Sequence, residues 1–296
     1  MGIVLGPNQY GKAEIRLVAV DRSSPRHALR DLTVGTSLRG DFDGAHYDGD
    51  NAHVLPTDTQ KNTAYAFAKQ APIGEIEDFA LRLGRHFIDT QEPVRGARIL
   101  VEEHAWARIP VDGEGHDHSF HRAGEEKRTA AVTLQGGEAH VVSGLSDLVV
   151  LKSTGSEFWG YPKDEYTTLP ETTDRILATA VTARWRHLRT DVDFGKSFDS
   201  VRASLLEAFA TTHSYALQQS LYEMGKAVLE KHPDIAEVRL SLPNKHHFLV
   251  NMEPFGLDNR NEVFHAADRP YGLIEGTVTR DDVDPAPPAW YSLPEF

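Results

Sequence analysis

Residues 13–20, AEIRLVAV, set Ile15 and Leu17 against Glu14 and Arg16 in alternation. A period of two belongs to a strand with one face buried and the other in water. Working outward, 30–40 can pair with it as a hairpin. From 73 to 90, Ile76, Phe79, Ala80, Leu83 and Phe87 recur at helical spacing, one apolar stripe along an amphipathic helix. Two strand-like stretches follow at 97–109 and 128–134, joined by a polar loop. The second half repeats the plan. Stretches 139–151 and 179–188 are strand-like, and the latter alternates Val181, Ala183 and Trp185 with Thr182, Arg184 and Arg186. Phe198, Val201, Leu205 and Phe209 mark one helix, and Leu217, Leu221, Met224 and Val228 another. Val238, Leu240 and Leu242 then alternate with polar neighbours, and a closing strand lies near 273–279. The order strand, strand, helix, helix, strand, strand appears about twice, with a join near Gly136-Gly137. We therefore expect two units, 1–136 and 137–296. Antiparallel sheets with helices layered on one face make an α+β architecture. A short echo between ILVEEHAW (99–106) and SLPNKHHF (241–248) fits duplication.

The chain has 296 residues, is 40% hydrophobic and 25% charged, and carries a formal charge of −13. It has ample apolar content for a sizeable core. The acidic surplus disfavours nonspecific binding to nucleic acid or anionic membrane, so a site for an anion must carry its own positive groups. The absence of cysteine excludes disulfides, iron–sulfur clusters, thiolate zinc sites and a cysteine nucleophile. The start, MGIVLGPNQYGK, lacks a basic region followed by an apolar one, and Gly6 stands where a myristoylation motif wants Ser or Thr. The final SLPEF is not an SKL-type peroxisomal address, and no apolar run reaches membrane-spanning length. A cytoplasmic location is the expectation.

The stretch 151–175, LKSTGSEFWGYPKDEYTTLPETTDR, carries the chemical signal. It places Phe158 and Trp159 sixteen or seventeen residues before Arg175, with hydroxyls and carboxylates between. A flat, anionic heterocycle needs a ring to stack on and a guanidinium fork for its acidic edge. This wording closely resembles the uricases (urate oxidases). Further segments, VLPTDTQKNT at 54–63, SLPNKHHF at 241–248 and NEVFHAADRPYGLIEGTV at 261–278, resemble the same family in the expected order.

The resemblance implies two tandem T-fold (tunnelling fold) units, whose sheets close into a β-barrel when subunits assemble. It also implies a homo-oligomer, a tetramer, with active sites at subunit interfaces. The implied reaction needs no cofactor and no metal: urate, dioxygen and water give 5-hydroxyisourate and hydrogen peroxide. By matching position, Lys12 and Thr57 take the proton from the substrate and His246 belongs to the proton relay. Thr57 and Asp58, reaching from a neighbouring subunit, contact the substrate. Phe158 stacks under the ring, Arg175 pairs with its oxygen-rich edge, Gln218 clamps it, Leu217 adds backbone contact, and Asn244 holds dioxygen or water above it.

Each position has a plainer alternative. Lys12 can be a solvated strand end, and Thr57 or Asp58 a helix cap. Arg175 can form a surface ion pair with Asp174, and Phe158 or Trp159 can be core. Period two puts Asn244 and His246 on one face of a strand and His247 on the other. His116, His118 and His121, in GHDHSFHRAG, form a cluster that can ligate a transition metal, although it falls in a connection between strands. Two other functions therefore stay open: a zinc-dependent pterin or purine hydrolase of the same fold, and a purine-binding protein without catalysis. The acidic run 281–284 before PAPPAW reads as a solvated terminus.

Overall fold

The computed structural model describes residues 2–267 and 269–292, so most of the SLPEF terminus and one position of the 261–278 segment lie outside the described residues. In chain order the elements are β1 (Tyr10–Asp21), β2 (Ala28–Gly40), α1 (Asp43–Tyr47), α2 (Thr57–Gln70), α3 (Ile76–Thr90), β3 (Val94–Val111), β4 (Glu114–Gln135), β5 (Glu138–Lys152), β6 (Leu177–His187), α4 (Phe194–Thr211), α5 (Leu217–Lys231), β7 (Ile235–Asn244), β8 (His247–Leu249), β9 (Phe264–Ala266), β10 (Gly272–Thr279) and α6 (Pro287–Trp290). Two compact units form: residues 1–144, 186–197 and 282–296 make the first, and 145–185 with 198–281 the second. Gly136 and Gly137, both at positive φ, turn β4 into β5.

In the first unit β1, β2, β3 and β4 pair as antiparallel neighbours in that order. Leu17 lies opposite Leu32, Val34 opposite Val101, and Ile99 opposite Val132, which puts one apolar face on the sheet. The stripe on α3 covers it: Ile76, Phe79, Ala80, Leu83 and Phe87 are all fully buried. Each large side chain so buried contributes about 1.5–3 kcal/mol. In the second unit α5 packs on β7 and β10, with Leu221, Met224 and Val228 meeting Leu240 and Leu242 in the core. Among the described residues, no helix is long and apolar enough to cross a membrane.

Two expectations need correction. The polar loop expected after 109 is a continuation of the ladder: β3 and β4 run on for 18 and 22 residues and turn through Asp112-Gly113, with φ of 51° and 86°. Both central residues at positive φ is the tight hairpin geometry that an Asp-Gly pair favours, and it was readable in the sequence. Second, β7 stops at Asn244, and β8 opens at His247 in a separate two-stranded ribbon with β9. Lys245 and His246 are the break, so strand alternation does not govern which way His246 faces.

One buried ionic cluster anchors the first unit. Arg128 on β4 pairs with Glu75 (2.6 Å) and Glu77 (2.7 Å), and Ser143 donates to Glu77 at 2.6 Å. Burial pushes the Glu77 carboxyl up, although Arg128 and Ser143 pull it down. Arg128→Met leaves that carboxylate without its counter-charge and is expected to cost about 3–5 kcal/mol of stability. An acid whose folded pKa is raised loses stability as pH rises, so the loss is expected to be larger at pH 8 than at pH 5. Urea unfolding at both pH values checks this; a change under about 1 kcal/mol at pH 8 overturns it.

Candidate active site

The residues singled out from the sequence divide between the units. Lys12, Thr57 and Asp58 lie in the first; Phe158, Arg175, Leu217, Gln218, Asn244 and His246 lie in the second.

Lys12 sits on β1 at a β-bulge. It pairs with Thr36, while Ile15, three residues on, pairs with Val34, only two residues back on β2. Thr36 and Val34 share the buried face of β2, so the extra residue in β1 brings Lys12 to the same face as Ile15, the face on which α2 packs. Strict alternation would have put Lys12 with Glu14 and Arg16 on the opposite face. Glu14 takes φ 57° to make the bulge. Gly11 is required by the close approach of the strands: a Cβ there would lie 1.7 Å from the Thr36 carbonyl oxygen.

Thr57 and Asp58 open α2, and no side chain caps that helix. Its first-turn N–H groups therefore keep their capacity for an anion. Instead of capping, Asp58 accepts from Lys61 (2.5 Å) and Asn62 (3.0 Å). Lys61 above all, with Asn62 and Lys12 adding, holds its carboxyl below the ordinary range. Lys61 and Asn62 thus orient Asp58, a role that their i+3 and i+4 spacing on a helix makes readable in the sequence.

In the second unit, 156–158 is held on both sides. Ser156 bridges to Ser214 and Phe158 to Thr172, and the Arg175 N–H donates to the Ser156 carbonyl at 2.9 Å. The Arg175 Nε donates to Ser156 Oγ at 3.2 Å, and its guanidinium lies 5.1 Å from the Phe158 ring centre. Phe158 also stacks on Tyr161, with 4.8 Å between ring centres. Ser156, Ser214 and Ser220 are fully buried, and Ser220 donates to Ser214 at 2.8 Å, which ties this strip to α5. The sequence reading missed Ser156; a small hydroxyl two residues before the aromatic was its only signal.

Arg175 has no carboxylate within ion-pair reach among the described residues. Asp174, the expected partner, accepts instead from Thr154 at 2.8 Å. Burial depresses the Arg175 pKa, the mark of a cation taken partly out of water without compensation. Trp159 is not core: it is 57% exposed, and its indole donates to Glu157 at 2.7 Å.

Leu217 and Gln218 are the first two residues of α5. The Leu217 side chain is in the core, which leaves its backbone N–H, whereas Gln218 is exposed. Gln219 is not idle, since its Oε1 accepts from the Tyr215 N–H at 2.9 Å. Asn244 ends β7 opposite Gly272. His246 follows in the break, its carbonyl accepting from Ala267 at 2.9 Å and its ring stacked on Phe248, 5.7 Å between ring centres and inclined by 24°. Burial first, then the positive charge of Arg175 and the neighbouring His247, lower the His246 pKa, so the imidazole is neutral at neutral pH. The acid limb of any activity that needs this ring as a proton acceptor is expected below about 6.5, the ordinary histidine value. A kcat profile from pH 5 to 8 checks it, and an acid limb above 6.5 that vanishes in His246→Gln contradicts it.

The histidine cluster lies within β4, not in a loop. His116 and His118 stand ring against ring (4.5 Å), His118 nears His27 (5.9 Å), and His121 turns its Nδ1 to the Arg122 carbonyl. Among the described residues, no three His, Cys, Asp or Glu side chains converge to hold a metal ion.

The model of the uricase family matches residues 8–133 and 141–275. A uricase of Arthrobacter globiformis is 56% identical over 294 residues, covering 99% of this chain and 96% of that protein. A uricase of Dictyostelium discoideum is 37% identical over 276 residues, covering 92% and 96%. The crystal structure of the Arthrobacter protein aligns with a TM-score of 0.94 over 98% of this chain and 99% of that one.

Proposed function

The chain belongs to the uricase family, and on that premise we propose that it oxidises urate with dioxygen and water to 5-hydroxyisourate and hydrogen peroxide. The observation that carries this reading is Arg175: a half-buried guanidinium, set over Phe158 and lacking a carboxylate partner among the described residues. Such a cation suits a planar anion, which supplies the missing charge and lies flat against the aromatic ring.

The reaction divides into holding and proton transfer. Arg175 takes the oxygen-rich edge of urate, Phe158 its face, and Gln218 offers both donor and acceptor to the ring. The first N–H groups of α5 add fixed dipoles beside the anion. Lys12 and Thr57 remove a second proton, which yields an electron-rich dianion that donates an electron to dioxygen. Substrate therefore supplies the reducing power, and no cofactor enters this reading. Asn244 holds dioxygen and then water above the ring, and neutral His246 moves protons there.

The proton-removing set is in the first unit and the ring-holding set in the second. We read the working site as shared between copies in a homo-oligomer, a tetramer. Edge strands β1 and β10 then find partners, which removes exposed sheet edges. The test is oxygen uptake together with loss of urate absorbance, on metal-stripped protein with EDTA present. Equal consumption of urate and oxygen, with peroxide formed, is expected. Urate binding without oxygen uptake, or activity that returns only with zinc, overturns the reading.

A further inference from the structure

Gln60 is fully buried on α2, where Ala64 is the other buried residue. A carboxamide in such a place costs free energy unless both its ends are bonded, and an aliphatic side chain of that volume would fill the space without the cost. Packing alone does not call for glutamine. Its hydrogen bonds do have a direction. The Lys12 N–H donates to Thr36 Oγ1 (3.1 Å), the Thr36 hydroxyl donates to Gln60 Oε1 (2.7 Å), and Gln60 Nε2 donates to the Leu55 carbonyl (3.3 Å). This unbroken chain of donors runs from the backbone of Lys12, at the bulge, to the segment two residues before Thr57.

We propose that Thr36 and Gln60 are positioning residues for the Lys12–Thr57 pair: they hold the bulged strand and the start of α2 at the spacing that proton removal requires. Neither touches substrate. The inference rests on Lys12 being the base, as the functional reading has it. The extra residue of a bulge is unpaired and the ladder is locally disrupted, so ladder bonds alone do not hold this point of β1. Here Thr36, opposite Lys12, pins it from one side, and Gln60 fixes that pin to the helix that carries Thr57. Displacements near 1 Å in a catalytic pair cost about 100-fold in rate.

The test measures kcat, KM and melting temperature for Thr36→Val, Thr36→Ser and Gln60→Met, and repeats Thr36→Val in a Lys12→Met background. Thr36→Val and Gln60→Met are expected to lower kcat about 10- to 100-fold with KM little changed. Thr36→Ser, which keeps the hydroxyl, is expected to restore most of kcat. In the Lys12→Met background, Thr36→Val is expected to change the residual rate little, because the residue it acts through is gone. Equal losses in both backgrounds, a matching rise in KM, or unchanged kcat in folded variants overturns the proposal. If Thr36→Val does not fold, Gln60→Met reads the same quantity, since it keeps the Lys12–Thr36 bond and cuts the tie to Leu55. A wild-type protein that folds but does not oxidise urate sinks the functional reading and this one together; active wild type with unaffected variants sinks only this one.

Discussion

Lys12→Met is expected to lower kcat for urate oxidation by about 10²- to 10⁴-fold, the span of general-base contributions, with urate affinity nearly unchanged. The division of residues is the reason. Arg175, Phe158 and Gln218, proposed to hold the ring, lie in the second unit and do not depend on Lys12 for their placement. Methionine keeps most of the side-chain length, and the backbone bond to Thr36 survives. A loss confined to the proton-transfer step lowers kcat and kcat/KM equally. Stopped-flow binding of urate under nitrogen, followed by turnover in air, separates the two quantities. If affinity collapses while the bound-state rate holds, Lys12 binds the substrate and some other group is the base.

Arg175→Ala is expected to do the converse, weakening urate binding by about 2–5 kcal/mol, roughly 30- to 4,000-fold. The guanidinium is partly desolvated and lacks a protein carboxylate among the described residues, so its charge is left available to a ligand. Its removal from the unliganded protein is accordingly expected to leave the melting temperature unchanged or raise it, as at sites where function is maintained against stability. A sharp fall in melting temperature would make Arg175 structural. Arg175→Lys should restore little, because an ammonium lacks the planar fork. The two impaired variants also report on assembly. Refolded together, Lys12→Met and Arg175→Ala chains are expected to regain activity if the base of one copy serves the ring-holding set of another. No recovery in mixed oligomers would place the whole site within one chain.

Much of the candidate site was legible because short motifs carry chemistry that the backbone only has to present. The stretch 151–175 named the aromatic and the guanidinium, and the absence of cysteine excluded whole classes of reaction. The plainer alternative for Arg175 was also a sequence argument, since Asp174 is its neighbour. It gave way because Thr154 takes that carboxylate. Capping by Thr57 or Asp58 gave way likewise, since Lys61 and Asn62 engage the aspartate from the next turn of α2. Lys61 and Asn62 are near Asp58 in sequence, yet propensity does not rank one polar neighbour above another; Thr154 lies 20 residues from Asp174, and only the fold brings the two together.

By itself the sequence determined the α+β class, the strands and helices of the core, and the residue types available to a planar anion. Hydrophobic periodicity is a local property, and Ile76, Phe79, Leu83 and Phe87 would lie on one stripe of any helix they formed. What faces Lys12 was decided only by the tertiary structure. Alternation assigns it the side of Glu14 and Arg16; a bulge at φ 57°, the contact of Gly11 with Thr36 and the buried Gln60 turn it to the other. The break after Asn244, which frees His246 from strand alternation, has the same origin. A bulge or a strand end is set by which carbonyls and N–H groups find partners across the sheet, and those partners lie tens of residues away.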